Sequence, residues 1–269
     1  MFPPRGVVSI LSKAPSDVVV LSSLRTPICR ANRGSLKDAF PEELLASVLK
    51  ATIDRVPNLD PSMIEDVAVG VVLSELGGSK AARMAMNHVG YPNTTSLYTV
   101  NRACSSSLQA ISSIASQIRI GMISVGIGAG MESMTRNYGS RAIPTDLWPA
   151  LRESAVKDAL DCILPMGITS ENVAERYSIS REDQDAFAVS SHLKAAEARA
   201  SGLFLDEIVP VLQKQPDGLG DVVVDTDDGI RPQANLEGLA KLKPAFRETE
   251  PRPLGTHLKS QTALQQHFS

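Results

Sequence analysis

Short apolar runs alternate with helical segments along the first half of the chain, and this alternation limits the fold more than any other feature. The runs are typical of buried strands, and two of the segments between them repeat apolar residues with helical spacing, while the third, 79–89, is rich in small residues suited to close helix packing. The predicted strands are 17–24, 67–72, 96–100 and 123–129, and the predicted helices are 41–50, 79–89 and the segment after Cys104. Strands that alternate with helices build layered α/β domains, so the sequence predicts an α/β fold.

The composition excludes several classes of protein. At 269 residues the chain has room for one large domain or two modest ones, and 43% hydrophobic content is enough for a sizeable core. A net charge of -3 argues against nucleic acid as a partner, because binding a polyphosphate requires a basic surface. No apolar run approaches the length of a membrane span. The 3 cysteines are too few and too scattered for a disulfide framework or a zinc site, which favours a reducing compartment.

Cys104 stands between the end of the predicted strand 96–100 and the start of a helix. The helix is indicated by apolar residues at helical spacing: Leu108, Ile111, Ile114, Ala115 and Ile118. Free amide groups and the positive end of the helix dipole favour a thiolate at such a corner, and a thiolate is a good acyl acceptor. A buried structural cysteine is the alternative, and this segment alone leaves both open.

The segment around Cys104 resembles the nucleophile motif of the thiolase superfamily. Five further segments resemble thiolase motifs, one before Cys104 and four after it, in the order that the family has: 25–27, 130–135, 166–174, 228–232 and 242–246. The resemblance covers residues 17–247 and is strongest to the peroxisomal 3-ketoacyl-CoA thiolases. There are two departures, since Ala103 stands where the family commonly has Gln and Ser107 where it commonly has Gly. The Ala-Cys-Ser-Ser run also resembles the related β-ketoacyl synthases, which remain an alternative.

The resemblance implies both a fold and a reaction. The fold is the first half of the layered thiolase α/β fold with an inserted loop domain. The reaction is thiolytic cleavage of a 3-ketoacyl-CoA to acetyl-CoA and a shortened acyl-CoA, as in fatty-acid β-oxidation, through an acyl group on Cys104. CoA is then a substrate, and no cofactor or metal is expected. Met166 corresponds to a methionine of the acyl and pantetheine channel, and Arg231 to an arginine that lies against the CoA nucleotide. Core packing for Met166 and a solvated surface position for Arg231 are the alternatives.

The resemblance also divides the chain. It predicts an amino-terminal extension at 1–16, the thiolase amino-terminal domain at 17–137, the loop domain at 138–247 and a non-family tail, predicted to be disordered, at 248–269. Residues 137–165 are interpreted as irregular loop, and strands are predicted at 207–211 and 222–225. A long helix is predicted to begin after Ser180, with Asp183 completing a capping box, and to end near Gly202.

Other candidate sites fail on spacing. Gly126, Gly128 and Gly130 follow G-x-G-x-G, which is not the dinucleotide fingerprint. Residues 225–229 lack the alternation and the following Glu of a calcium loop. His192 lies in a predicted helix and is interpreted as a surface or packing residue.

The carboxy-terminal half of a thiolase has no counterpart in the sequence up to Ser269, which predicts a truncated chain. In the family that half supplies the His that activates the nucleophile and a second, acid/base Cys. The alternative function is therefore a catalytically incomplete thiolase chain that acts only as a dimerisation partner. The expected partners are 3-ketoacyl-CoA, CoA and either a second copy or a full-length thiolase subunit, with no nucleic acid and no membrane. The resemblance implies a peroxisomal location, but no targeting signal is found, and a cytoplasmic location is the alternative.

Cys104 is expected to react faster with a thiol-directed electrophile than Cys29 or Cys162, because a helix start stabilises its thiolate. Positioned proton transfer contributes about a hundred- to ten-thousand-fold to catalysis. An oxyanion donor contributes a further hundred- to thousand-fold or so. In the family both contributions depend on the carboxy-terminal half. Without that half, cleavage of acetoacetyl-CoA by the 269-residue polypeptide should stay near background.

Peptide mass spectrometry after partial labelling and a CoA-dependent thiolysis assay measure the two quantities. Faster labelling of Cys29 or Cys162 would contradict the expectation. Robust thiolysis that Cys104→Ser abolishes would contradict it as well.

Overall fold

The computed structural model of the chain describes residues 12–137, 143–144, 146–214 and 220–246. They form two compact units. The first unit contains Phe40–Glu132 together with residues up to Arg25, and the second contains Thr26–Ala39 together with residues from Ser133 onward. The domain limits inferred from the resemblance stay predictions, and the tail at 248–269 lies outside the described residues.

The first unit is built around a parallel sheet of three strands in the order β2-β1-β3. Its strands are β1 (Asp66–Gly70), β2 (Ser96–Val100) and β3 (Gly126–Gly130). Its helices are α1 (Pro41–Asp54), α2 (Ser79–His88) and α3 (Ser106–Arg119), with short 3-10 turns at Pro61–Met63 and Glu75–Gly78. These elements confirm the predicted α/β class.

Alternate residues of the central strand pack on opposite sides of the sheet. Val67 and Val69 are fully buried in a cluster with Leu45 of α1 and Met86 of α2. Ala68 lies on the other side in a cluster with residues of α3. Burying one large apolar side chain stabilises a fold by about 1.5–3 kcal/mol. The central strand is therefore covered on both faces, and the unit has three layers.

Glycine backbone forms much of the sheet face that α3 covers. A Cβ atom added to Gly70 would lie 2.4 Å from the backbone nitrogen of Ser107, and one added to Gly128 would lie 2.6 Å from the Cα of Ile111. At Gly130 the nearest atom would be the Ser107 hydroxyl oxygen. Side chains at these positions would hold the helix away from the sheet. The G-x-G-x-G run is thus a packing surface for α3.

The prediction of a buried strand at 17–24 is wrong. This segment forms no strand, and Val19, Val20 and Leu21 are 72%, 77% and 61% exposed. A continuous apolar run indicates burial only where the sheet offers a neighbouring strand, and the described three-stranded sheet does not include this run. The prediction failed because strand formation depends on a pairing partner distant in sequence.

The second unit contains six helices and one hairpin within its described residues. Its helices are α4 (Met134–Asn137), α5 (Pro149–Arg152), α6 (Lys157–Asp161), α7 (Met166–Arg176), α8 (Arg181–Ala200) and α9 (Leu236–Ala240). The hairpin pairs β4 (Val211–Lys214) with β5 (Asp221–Val224) in antiparallel register.

The predicted long helix is confirmed as α8. The Ser180 side chain accepts a hydrogen bond from the backbone nitrogen of Asp183, whose carboxylate accepts one from Ser180 in return. Beyond the helix end, Gly202 has a φ of 73°, a left-handed conformation that favours glycine. Both ends of α8 are therefore determined by local chemistry.

Two other interpretations in this unit are wrong in part. Residues 137–165 are not entirely irregular, because α5 and α6 each form about one helical turn, too short to show a period. The strand predicted at 207–211 instead starts at Val211. Pro210 has no backbone amide to donate, so ladder pairing begins after it.

Gly70→Ala is expected to destabilise the first unit by about 1–3 kcal/mol, because the added methyl group meets helix backbone. Gly130→Ala meets mainly the Ser107 hydroxyl, so Ser107→Ala should restore most of that loss. The same change should not rescue Gly70→Ala. Free energies of unfolding from urea titrations of the single and double variants measure this, and equal rescue of both glycine variants would refute the packing described.

Candidate active site

Cys104 lies at the corner between β2 and α3 and is exposed. The backbone of Ala103, directly before it, has a φ of 48°, in the left-handed region that non-glycine residues rarely occupy. Such a conformation persists only where the surrounding contacts hold it. The corner therefore turns sharply just before the sulfur and presents it to solvent.

Asn101 holds the start of this corner. Its side-chain oxygen accepts a hydrogen bond of 3.0 Å from the backbone nitrogen of Ala103, and its side-chain nitrogen donates one of 3.3 Å to the backbone oxygen of Val72. One amide group thus stabilises the turn before Cys104 and joins it to the loop that follows β1.

Ser106 holds the end of the corner from within. Its side chain is buried, and its hydroxyl donates a hydrogen bond of 2.6 Å to the backbone oxygen of Ala103. The Ser106 hydroxyl oxygen also accepts a hydrogen bond of 2.8 Å from the backbone nitrogen of Arg102. Ser106 therefore satisfies two backbone groups on the two sides of the left-handed residue.

Glu132 joins a further loop to the same edge of the sheet. Its carboxylate accepts hydrogen bonds from the backbone nitrogens of Val72 at 3.2 Å and Leu73 at 3.0 Å. The segments after the three parallel strands are thereby linked at the carboxyl edge, where α/β folds place their sites. Through these bonds Asn101 and Glu132 order the loops around Cys104.

Arg231 belongs to the second unit and lies on the wall of a cavity of about 430 Å³. The cavity is lined largely by residues 228–235 and by one end of α9. His192 of α8 also lines it, and its Nδ1 accepts a hydrogen bond of 3.3 Å from the backbone nitrogen of Arg231. Arg231 is therefore an exposed arginine at a concave surface, and its predicted contact with a nucleotide stays a prediction.

Met166 begins α7 and is 70% exposed, so it is not part of a core within its unit. It does not line the Arg231 cavity. The next residue, Gly167, is buried against the Phe246 ring, where an added Cβ would lie 2.0 Å from the nearest ring carbon. The thiolase-like motifs 166–174 and 242–246 thus meet through this glycine, while the channel role of Met166 stays a prediction.

Two adjacent aspartates fix the segment 26–39 within the second unit. Asp227 accepts a hydrogen bond of 2.7 Å from the backbone nitrogen of Ile28. Asp228 accepts one of 2.7 Å from the backbone nitrogen of Arg30 and one of 2.9 Å from that of Ser35. Sequence reasoning missed this contact between residues nearly 200 positions apart, since no local pattern signals it.

The position of Asp228 beside the segment 26–39 has a chemical consequence for Cys29. Partial burial, followed by the negative charge of Asp228, raises the pKa of the Cys29 thiol to about 11 from an ordinary 9.0. Both causes disfavour the thiolate, which is the reactive form. Cys29 is therefore a poor nucleophile in this fold, whereas Cys104 and Cys162 are exposed.

Neither a metal centre nor a membrane span emerges from the described part of the chain. No group of three or more His, Cys, Asp or Glu side chains is arranged to hold a metal ion there. None of its helices combines the length and the apolar character needed to cross a bilayer.

Comparison with known proteins decides the family. Residues 18–250 match the family model described as thiolase, N-terminal domain. The chain belongs to the thiolase family. 3-Ketoacyl-CoA thiolase 1, peroxisomal, of Arabidopsis thaliana is 51% identical over 238 residues, covering 86% of this chain and 52% of that protein. The human peroxisomal 3-ketoacyl-CoA thiolase is 48% identical over 245 residues, covering 88% and 57%.

The crystal structure of the dimeric peroxisomal thiolase of Saccharomyces cerevisiae superposes with a TM-score of 0.82 at 39% identity. The superposition covers 90% of this chain and 61% of the yeast chain. The thiolase-like layered α/β fold is thereby confirmed, and the family match favours a thiolase over a β-ketoacyl synthase. The chain spans about half the length of the curated relatives it matches.

Cys29 is expected to be alkylated about tenfold more slowly at pH 8 than exposed Cys162. A pKa of about 11 lowers the thiolate fraction about a hundredfold relative to an ordinary thiol. The higher intrinsic nucleophilicity of the more basic thiolate recovers about tenfold. Residue-resolved iodoacetamide kinetics between pH 7 and 11 measure this, with Cys162 as the internal control. The Cys29 rate should still be rising above pH 10, and a plateau near pH 9 would rule out the proposed effect of Asp228 and burial.

Proposed function

We propose that this chain carries the acyl-accepting half of a thiolase reaction, in which Cys104 takes the acyl group of a 3-ketoacyl-CoA. The observation that carries the proposal is the exposed sulfur at the constrained corner between β2 and α3. The names of the relatives support the substrate class, since they are 3-ketoacyl-CoA thiolases. An exposed thiol at a strand-to-helix corner is the kind of group that covalent acyl transfer requires.

The proposed chemistry has two steps that balance. The Cys104 thiolate attacks the C3 carbonyl carbon, and the C2–C3 bond breaks with its electron pair left on C2 as the enolate of acetyl-CoA, which then takes a proton. In the second step the thiol of CoA loses a proton, and its sulfur attacks the acyl-Cys104 carbonyl. The shortened acyl-CoA leaves, and the Cys104 thiolate is regenerated.

Residues around Cys104 would contribute to this chemistry through position. The bonds of Asn101 and Ser106 fix the backbone on both sides of Ala103, so the sulfur needs little reorganisation before attack. CoA enters these steps as a substrate, and the proposal includes no metal or organic cofactor.

The Arg231 cavity is the proposed place for the nucleotide end of CoA. A guanidinium group can stack on adenine and donate paired hydrogen bonds to phosphate. The exposed position of Arg231 on a cavity wall supports this role. Met166, exposed at the start of α7, is the proposed contact for the acyl and pantetheine chain.

The proposed protein partner is a second thiolase chain, either another copy or a longer subunit. The yeast relative is described as dimeric. Leu108 and Ile111 on α3 are 65% and 49% exposed, and exposed apolar side chains in one region often mark protein contacts. Pairing without catalysis is the second candidate function, and these exposed residues favour it. The peroxisomal relatives make the peroxisome the proposed location.

Incubation with a 3-ketoacyl-CoA is expected to leave an acyl group on Cys104, visible as a mass shift of the peptide that contains it. Cys104→Ser should abolish the adduct, and Cys162→Ser, a matched exposed cysteine, should leave it unchanged. Added CoA should remove the adduct by the second step, but slowly, in line with the near-background thiolysis expected for the 269-residue polypeptide.

Absence of any acyl adduct on Cys104, while the chain still pairs with a longer thiolase in size-exclusion chromatography, would reject acyl transfer in favour of pairing. An adduct of equal size in the Cys104→Ser variant would place the chemistry elsewhere.

A further inference from the structure

Arg30 lines the same cavity as Arg231, although the two residues are 201 positions apart by their numbers in the sequence. Both belong to the second unit. The cavity thus has two guanidinium groups on its wall, and only Arg231 was expected from the family motif. Asp228 also lines the cavity and pairs with Arg30, so two guanidinium groups face one carboxylate, and the remaining positive charge favours an anionic ligand.

Asp228 determines where Arg30 lies. Its carboxylate accepts hydrogen bonds from the backbone nitrogens of Arg30 and Ser35, which closes the turn between them. The turn is tight, since a Cβ added to Gly34 would lie 2.5 Å from the backbone nitrogen of Arg30 and 2.6 Å from an Asp228 carboxylate oxygen. The base of the Arg30 side chain is therefore fixed by backbone contacts.

The guanidinium of Arg30 keeps its donors available. Its Nε lies 3.6 Å from the Asp228 carboxylate, an ion pair that is longer than a hydrogen bond. Within the described residues its guanidinium nitrogens donate no hydrogen bond, and the side chain is 44% exposed. The Asp228 carboxylate accepts its hydrogen bonds from two backbone amides. It therefore orients the Arg30 side chain while leaving the guanidinium N–H groups available to a ligand.

We propose that Arg30 is a second phosphate-binding residue of the Arg231 cavity and that Asp228 is its positioning residue. The ligand class is a phosphorylated nucleotide, with Arg30 donating to a phosphate group and Arg231 available to the base or to another phosphate. This assignment rests on the proposed function, in which the cavity receives the nucleotide end of CoA.

Binding of CoA to the 269-residue chain by isothermal titration calorimetry tests the proposal. Arg30→Gln should raise the Kd for CoA about tenfold, a modest value for a charged hydrogen bond because the site is partly exposed. Arg30→Lys keeps the charge without the planar guanidinium group, so its Kd for CoA should lie between those of the unaltered chain and Arg30→Gln. Arg176→Gln is the matched control, since Arg176 lies over the Tyr177 ring and does not line the cavity.

A measurement on the unaltered chain keeps the test valid if Arg30→Gln does not fold. Phenylglyoxal modifies exposed arginines, and CoA should protect Arg30 and Arg231 from it while Arg176 reacts at the same rate with or without CoA. Unprotected Arg30 beside a protected Arg231 would overturn the assignment.

The failure of this inference is distinguishable from failure of the proposed function. If Arg231→Gln weakens CoA binding and a folded Arg30→Gln variant binds like the unaltered chain, only the Arg30 assignment is rejected. If the unaltered chain binds no CoA, both the nucleotide site of the proposed function and the Arg30 assignment are rejected.

Discussion

The contact between α3 and the glycine face of the sheet determines where Cys104 lies. Side chains at Gly70 and Gly128 would meet helix backbone at 2.4 and 2.6 Å, so only glycine allows the helix to lie this close. The start of α3 then falls at the carboxyl edge of the sheet, directly after the cysteine. The Cys104 sulfur therefore takes its position from packing contacts made by glycine residues elsewhere in the sheet.

Within the corner, too, residues other than Cys104 hold the backbone in place. Ala103 adopts a left-handed backbone, and the hydrogen bonds of Asn101 and Ser106 offset the cost of that conformation. Glu132 connects the segment after β3 to the loop after β1 by accepting hydrogen bonds from the two successive backbone amides of Val72 and Leu73. Charged and polar side chains near Cys104 thus act mainly on backbone, which keeps the edge of the sheet in one arrangement.

In the second unit, motifs far apart in sequence come together in pairs. Asp227 and Asp228 hold the segment that follows the Arg-Thr-Pro motif, and Gly167 provides the flat surface on which Phe246 lies. One consequence concerns Cys29, where partial burial and the Asp228 charge raise the thiol pKa to about 11. Cys29 is therefore expected to react more slowly than an exposed thiol, for a reason that its flanking residues do not reveal.

Local patterns in the sequence determined the elements whose stability is local. Apolar periodicity predicted α1 and α3, a run of small residues predicted α2, and the capping residues Ser180 and Asp183 predicted where α8 begins. The ordered motifs were sufficient to predict the family and Cys104 as the candidate nucleophile. Tertiary structure alone decided that the apolar run 17–24 is exposed, that the glycine run receives a helix and that Arg30 shares a cavity with Arg231. Helix caps and periodicity act over a few residues, whereas strand pairing, close packing and charge placement depend on partners that only the folded chain brings within reach.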